Sequence, residues 1–210
     1  MNAIATQLSE TTFHKAISHL CKRDKDLAAI FDRIGAPPMW VREPGFPTLV
    51  RIILEQQVSL ASAKAAYDRL LTKMSPLTAG SFLTLSDEEL KQIGFSRQKT
   101  GYCRNLAQSI QQGKLDPDNL HILDDETVRR KLTDHKGIGA WTAEIYLLMA
   151  LKRPDVWPKH DLALAVAVQQ VKKLNSRPSP EELETLSIPW KPWRAVAARM
   201  LWHHYLNNSK

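Results

Sequence analysis

Apolar positions along this chain recur at three- and four-residue spacing, segment after segment, which is the signature of amphipathic helices. Lys25–Arg33 reads as a short helix. Pro47 opens another, with an apolar face through Leu49, Val50, Ile52, Ile53 and Val58. Proline suits a first helical position because its missing N–H would have had no partner there. Ser59 is placed to cap a helix over Leu60–Met74, rich in Ala, Lys and Leu. Ser86 and Glu89 form a reciprocal capping pair ahead of Leu90 and Ile93, and Gly94 ends that turn. Ser96 precedes a helix from Arg97 to about Gln112, and Asp124 or Asp125 caps one through Leu132. Ser179, Pro180 and Glu182 supply cap, first-turn proline and box partner for a further helix, and a last one runs from about Pro192 to Tyr205.

Leu162–Val168 is ambiguous, because its large residues alternate with alanine at strand periodicity. Its three alanines and the capping Asp161 in front favour helix. No hairpin and no βαβ series is evident, so the expected fold class is all-α. There is no internal repeat. Pro-containing connections at 36–47 and 152–160 suggest hinges within a single domain spanning 1–210. Its two helical lobes are expected at about 46–155 and at 1–45 plus 156–210, flanking a cleft.

Charge then narrows the class of partner. The chain has 210 residues, with 29 Lys and Arg against 22 Asp and Glu, a formal charge of +7. That balance favours a polyanion, either nucleic acid or an anionic membrane surface. The longest apolar run, Leu162–Val168, is far shorter than the ~20 residues a bilayer requires, and the amino terminus lacks the basic start and apolar stretch of a secretory signal. Two cysteines, Cys21 and Cys103, are too few for a disulfide framework, a Cys-rich zinc site or an iron–sulfur cluster, and point to a reducing compartment.

The most specific local motif is Leu132-Thr133-Asp134-His135-Lys136-Gly137-Ile138-Gly139-Ala140-Trp141-Thr142-Ala143. A polar helix precedes two closely spaced glycines and an apolar helix follows them. Glycine admits unusual backbone angles and leaves N–H groups accessible. At the positive end of the following helix those groups suit a phosphate. A dinucleotide fingerprint is excluded, because a helix rather than a strand comes first and Thr142 stands where a third glycine is needed. The alternative is a plain glycine turn between two helices.

Five segments in order resemble the helix-hairpin-helix (HhH-GPD) DNA glycosylases, in particular the 3-methyladenine DNA glycosylase II, or alkylbase, branch. They are Arg51–Ser59, Gly94–Lys99, Lys136–Ala143, Asp155–Leu162, and Trp190–Arg194 with Trp202. The resemblance implies the compact form of this family and hydrolysis of the N-glycosidic bond of an alkylated purine flipped out of duplex DNA. The sugar then becomes oxocarbenium-like, and a carboxylate stabilises it and orients or deprotonates water. The resemblance gives that role to Asp161. A helix N-terminus favours an ionised carboxylate there, although position alone would make Asp161 only a cap. Asp155, the competing carboxylate, reads as a solvated turn residue. His160 departs from the second carboxylate that many relatives carry at that position.

By the same resemblance Trp141 and Trp202 line the base pocket, where an aromatic face attracts a cationic base by ~0.5–2 kcal/mol. Trp157, Trp190, Trp193 and Tyr146 read as core. Lyase-type relatives carry a lysine where this chain has Trp141, so the expected enzyme is monofunctional and leaves an abasic site. Lys136, Gly137, Gly139 and Thr142 of the hairpin are expected to meet DNA. Gln57 is the expected wedge that fills the vacated base position, with Gln56 beside it. Ser59 and Lys99 are phosphate contacts, or else a cap and a surface charge. No cofactor is required. Relatives hold a monovalent cation, Na+ or K+, with hairpin carbonyls, here those of Thr133, His135 and Ile138. The expected partner is double-stranded DNA containing damaged bases, with no membrane, and the protein is expected to be a monomer of the bacterial nucleoid or the eukaryotic nucleus. The competing readings are a non-catalytic lesion-binding protein on the same fold and an unrelated helical nucleic-acid binder.

Overall fold

The computed structural model of the protein describes residues 7–208. Among these, twelve α-helices and two 3-10 turns, at Leu120–Ile122 and Ile188–Trp190, make up the regular structure, with no strand. The helices are α1 (Glu10–Arg23), α2 (Lys25–Ile34), α3 (Phe46–Glu55), α4 (Leu60–Lys73), α5 (Ala79–Leu83) and α6 (Asp87–Ile93). They continue as α7 (Arg97–Gln111), α8 (Asp125–Thr133), α9 (Ala140–Met149), α10 (Leu162–Lys172), α11 (Pro180–Ser187) and α12 (Arg194–Asn208). The fold is all-α.

The short polar residues set the helix starts. Ser59, Ser86, Ser96, Asp124 and Ser179 each accept a backbone N–H from the first turn, and Ser86–Glu89 and Ser179–Glu182 are reciprocal boxes. Gly94 closes α6 in the left-handed region. Two segments differ from the sequence reading. Helix α1 lies outside the elements predicted from the sequence; Ser9 and Thr12 cap it reciprocally and Phe13, Ala16, Ile17 and Leu20 form its buried stripe. Helix α3 stops at Glu55, so Val58 lies outside it and is exposed rather than part of the apolar face.

The chain divides into two compact units. Among the described residues one comprises 42–146, and the other 7–41 with 147–208. The expected lobe boundaries near 46 and 155 therefore shift, the second falling inside α9. Hydrogen bonds account for that shift. The Leu148 carbonyl accepts from Arg199 Nη2 at 2.7 Å and the Lys152 carbonyl from Leu8 N at 2.8 Å, which ties 147–152 into the second unit.

The core of the first unit includes Leu49, Ile52, Ile53, Leu70, Leu90, Leu106, Val128 and Leu132. There the Phe82 ring meets Phe46 edge-on and Phe95 at a tilt, with centroids 5.7 and 5.8 Å apart. Tyr146 is also core, and its hydroxyl accepts from Gly45 N at 2.9 Å. In the second unit, Trp157 and Trp190 pack 5.3 Å apart, and their indole N–H groups donate to the Leu183 carbonyl and to Asp24. Trp193 is half-buried. Asp155 is no solvated turn residue, because Arg194 grips it at 2.9 Å. The fully buried Arg199 donates to the carbonyls of Met39, Ala195 and Leu148, and burial pulls its guanidinium down to about 9.

Candidate active site and DNA-binding hairpin

In the first unit, helix α8 ends at Thr133 and α9 begins at Ala140. Between them His135 N donates to the Leu132 carbonyl at 3.1 Å and Ile138 N to the His135 carbonyl at 3.0 Å, which winds the chain through a tight turn. Ile138 seals the underside of that turn and is buried. The backbone N–H groups of Ala140, Trp141 and Thr142 occupy the first turn of α9. Together they form the positive end of the helix. Lys136 is exposed beside them.

The two hairpin glycines serve different purposes. Gly137 has φ +92°, and a Cβ there would lie 2.1 Å from Cγ of Tyr102. Gly139 lies outside the left-handed region, and a Cβ there would meet nothing within 4 Å. The fold demands the first glycine. The second keeps the outer side of the hairpin bare.

The side chains of three residues expected to touch DNA make hydrogen bonds within the protein. Thr142 is only 1% exposed, and its hydroxyl accepts from Gln56 Nε2 at 2.8 Å. Gln56 Nε2 also donates to the Gly137 carbonyl at 2.8 Å, so both amide hydrogens are used. Lys99 Nζ donates to the carbonyls of Leu54, at 2.7 Å, and Gln56, at 2.9 Å, and partial burial lowers its pKa. The ammonium thus caps the end of α3 instead of projecting from the surface. Ser59 acts as a cap: its oxygen accepts from Ser62 N at 3.2 Å and its hydroxyl donates to Ser62 Oγ at 2.9 Å. Gln57 is exposed, with φ +55°.

In the second unit, residues 157–161 turn sharply: Lys159 N donates to the Trp157 carbonyl and Asp161 N to that of Pro158, each at 2.9 Å. The turn delivers Asp161 to the start of α10. There its Oδ1 accepts from Leu164 N at 2.8 Å and from Trp202 Nε1, on α12, at 3.0 Å. Asp161 is half-buried and Trp202 is 8% exposed. The carboxylate is therefore a cap and is also oriented by an indole. His160 is exposed. Trp141, in the first turn of α9, is half-buried.

An ordered carboxylate–indole pair and a glycine hairpin at a helix start are the parts that the resemblance required. The family described as HhH-GPD superfamily base excision DNA repair protein matches residues 50–193. The chain belongs to this family. It is similar to the alkylbase DNA glycosidase-like protein mag2 of Schizosaccharomyces pombe, 25% identical over 92% of this chain and 94% of the relative. The structure of the Schizosaccharomyces pombe 3-methyladenine DNA glycosylase Mag1 in complex with abasic DNA superposes with a TM-score of 0.84. It is 26% identical and the match covers 90% of this chain and 95% of Mag1. The DNA-3-methyladenine glycosidase from Bacillus halodurans superposes with a TM-score of 0.74, 29% identical over 93% and 90% of the two chains.

Sequence reasoning missed the internal engagement of this HhH-GPD chain's Gln56, Lys99 and Tyr102. Gln56 finds its partners 81 and 86 positions away, and Lys99 finds its own 45 and 43 positions away. No local pattern marks such pairs.

Proposed function

We propose that this chain is a monofunctional DNA glycosylase of base excision repair. It flips alkylated purines such as 3-methyladenine out of duplex DNA, hydrolyses the N-glycosidic bond and leaves an abasic site. The observation that carries this reading is the half-buried Asp161 carboxylate, oriented by the Trp202 indole at 3.0 Å. The similar proteins support it: Mag1 is a 3-methyladenine DNA glycosylase, the Bacillus halodurans protein a DNA-3-methyladenine glycosidase and mag2 an alkylbase DNA glycosidase-like protein.

An alkylated purine already carries positive charge, so it leaves without strong acid assistance. The barrier then lies in the cation growing on the deoxyribose. A fixed carboxylate beside that sugar stabilises the charge and can take a proton from the attacking water. The indole donor keeps Asp161 in one orientation, so little reorganisation is needed as the charge develops. Trp202, which donates to Asp161, offers its aromatic face to the cationic base. Trp141 has no amine to form a Schiff base with the sugar, so the strand stays intact.

The hairpin seats the DNA backbone through the N–H groups of α9, the bare side of Gly139 and the Lys136 ammonium. Gln57 fills the gap left by the base. A sodium or potassium ion in the turn would take main-chain oxygens of Thr133, His135 and Ile138. The His135 carbonyl uses one lone pair on Ile138 N–H and keeps another, which fits such an ion, and the reaction itself needs only water and Asp161. The protein acts as a monomer.

Methylated duplex DNA, assayed for free base, tests this. We expect release of 3-methyladenine by the wild type and a loss of at least ~10²-fold in rate for Asp161→Asn, the scale for removing one electrostatic stabiliser. Asparagine also caps helices well, so the variant removes charge while leaving the start of α10 intact. Unchanged turnover in that variant overturns the assignment. Strand nicking without heat or alkali contradicts the monofunctional reading.

A further inference from the structure

We propose that Gln56 and Lys99 are positioning residues that lock the Gln57 loop onto the phosphate-seating hairpin, so that gripping the DNA backbone and filling the vacated base position become one mechanical event. The proposal rests on the reading of Gln57 as the gap-filling side chain.

The chain leaves α3 after Glu55 and re-enters helix at Leu60. Within this short connection Gln57 holds φ +55°, a region disfavoured for any residue with a Cβ. Such a conformation persists only where the surroundings over-determine it, and here it is restrained just ahead of Gln57 by two sets of bonds. Lys99 Nζ takes the carbonyls of Leu54 and Gln56, acceptors that the end of a helix leaves without partners, and a cation there also suits the helix dipole. The Gln56 side chain reaches the other way, to the Gly137 carbonyl and the Thr142 hydroxyl of the hairpin.

The hairpin is fixed from the same helix that carries Lys99. Tyr102, three positions further along α7 and therefore on the same face, backs Gly137 so closely that no Cβ fits between them. One face of α7 thus braces both segments: Lys99 holds the wedge loop, Tyr102 holds the turn, and Gln56 bolts the two together. Neither Gln56 nor Lys99 reads as a DNA contact. Both amide hydrogens of Gln56 and two of the three ammonium donors of Lys99 are spent internally.

The test uses the full chain and a duplex containing a tetrahydrofuran abasic analogue with 2-aminopurine opposite it. Fluorescence reports whether a side chain enters the gap, and binding is titrated at several salt concentrations. We expect a wild-type signal that Gln57→Ala abolishes. Gln56→Ala and Lys99→Met should bind this duplex with the wild-type salt slope while the gap-filled fraction falls by at least about tenfold, corresponding to loss of one or two hydrogen bonds' worth of coupling. Lys99→Arg, which still donates, should restore most of the signal. Thr142→Val removes one of the two Gln56 bonds and should give an intermediate signal, which keeps the proposal testable should Gln56→Ala not fold.

A full signal in Lys99→Met and Thr142→Val overturns the proposal. So does a fall of about 0.9 in the salt slope of Lys99→Met, since that marks a phosphate contact. Loss of signal only in proportion to lost thermal stability and lost binding overturns it as well, leaving a purely structural role. A wild type that gives the signal but releases no methylated base sinks the glycosylase reading and leaves the brace standing, whereas a wild type that releases base without any signal does the reverse.

Discussion

At the scale of single residues, Gly137 and Gly139 offer a clean contrast. Alanine at 137 needs a left-handed backbone and collides with the Tyr102 ring, whereas alanine at 139 meets open space. We expect Gly137→Ala to cost about 2–4 kcal/mol, from backbone strain and overpacking together. Gly139→Ala should stay within about 0.5 kcal/mol of the wild type. Denaturant titration checks both. Gly139→Ala should nevertheless weaken DNA binding, because its methyl group stands on the face proposed to receive the phosphate, and equal affinity for the two proteins would remove the hairpin's bare side from the binding account. The sequence marked both glycines as important for one shared reason. The difference between them depends on Tyr102, which no spacing rule connects to residue 137.

At the scale of elements, the capping residues were legible and the tertiary bonds made by those same residues were not. Asp24 is an example. It caps α2 through the N–H groups of Asp26 and Leu27, and it also accepts from Lys172 Nζ of α10 at 2.8 Å and from Trp190 Nε1 at 2.8 Å. Burial alone would raise its pKa, but the Lys172 and Trp190 donors outweigh burial and hold it below the usual carboxylate range. A carboxyl lowered in the folded state stabilises the fold above its unfolded pKa of about 4, and that contribution disappears as pH falls through the lower folded value. Melting temperature should therefore drop as pH is taken from about 5 towards 2. Asp24→Asn should lower it at neutral pH and flatten this acid limb, and an unchanged acid limb in the variant counts against the network. Lys172 has the opposite sign. Burial lowers it, its bonds to Asp24 and Asp26 more than compensate, and the raised pKa means its contribution is lost only in strong alkali. Helix α10 itself shows how local evidence can mislead: its large–small alternation suggests a strand, yet it is helical because Asp161 caps it and it packs beside α12.

At the scale of the whole molecule, the charge of +7 and the hairpin predict binding to DNA that weakens with salt, by about 0.9 per phosphate neutralised on a log–log plot. Lys136→Ala should reduce that slope by about 0.9 with little change in stability, since the side chain is exposed. A salt-independent affinity would leave the nucleic-acid reading without its electrostatic basis.

Local sequence is enough to set the helical class, most helix starts and the order of the family's motifs. These depend on neighbours within a turn or two, and capping, periodicity and glycine all act over that range. Tertiary structure alone decided which polar groups are spent inside the protein. Gln56, Lys99 and Thr142 look like surface contacts in the sequence, and they are withdrawn by partners many positions away. Asp161 acquires its orienting indole from Trp202, 41 positions further on. A side chain's availability for chemistry is settled by whatever else can reach its donors and acceptors, and only packing brings those groups within 3 Å.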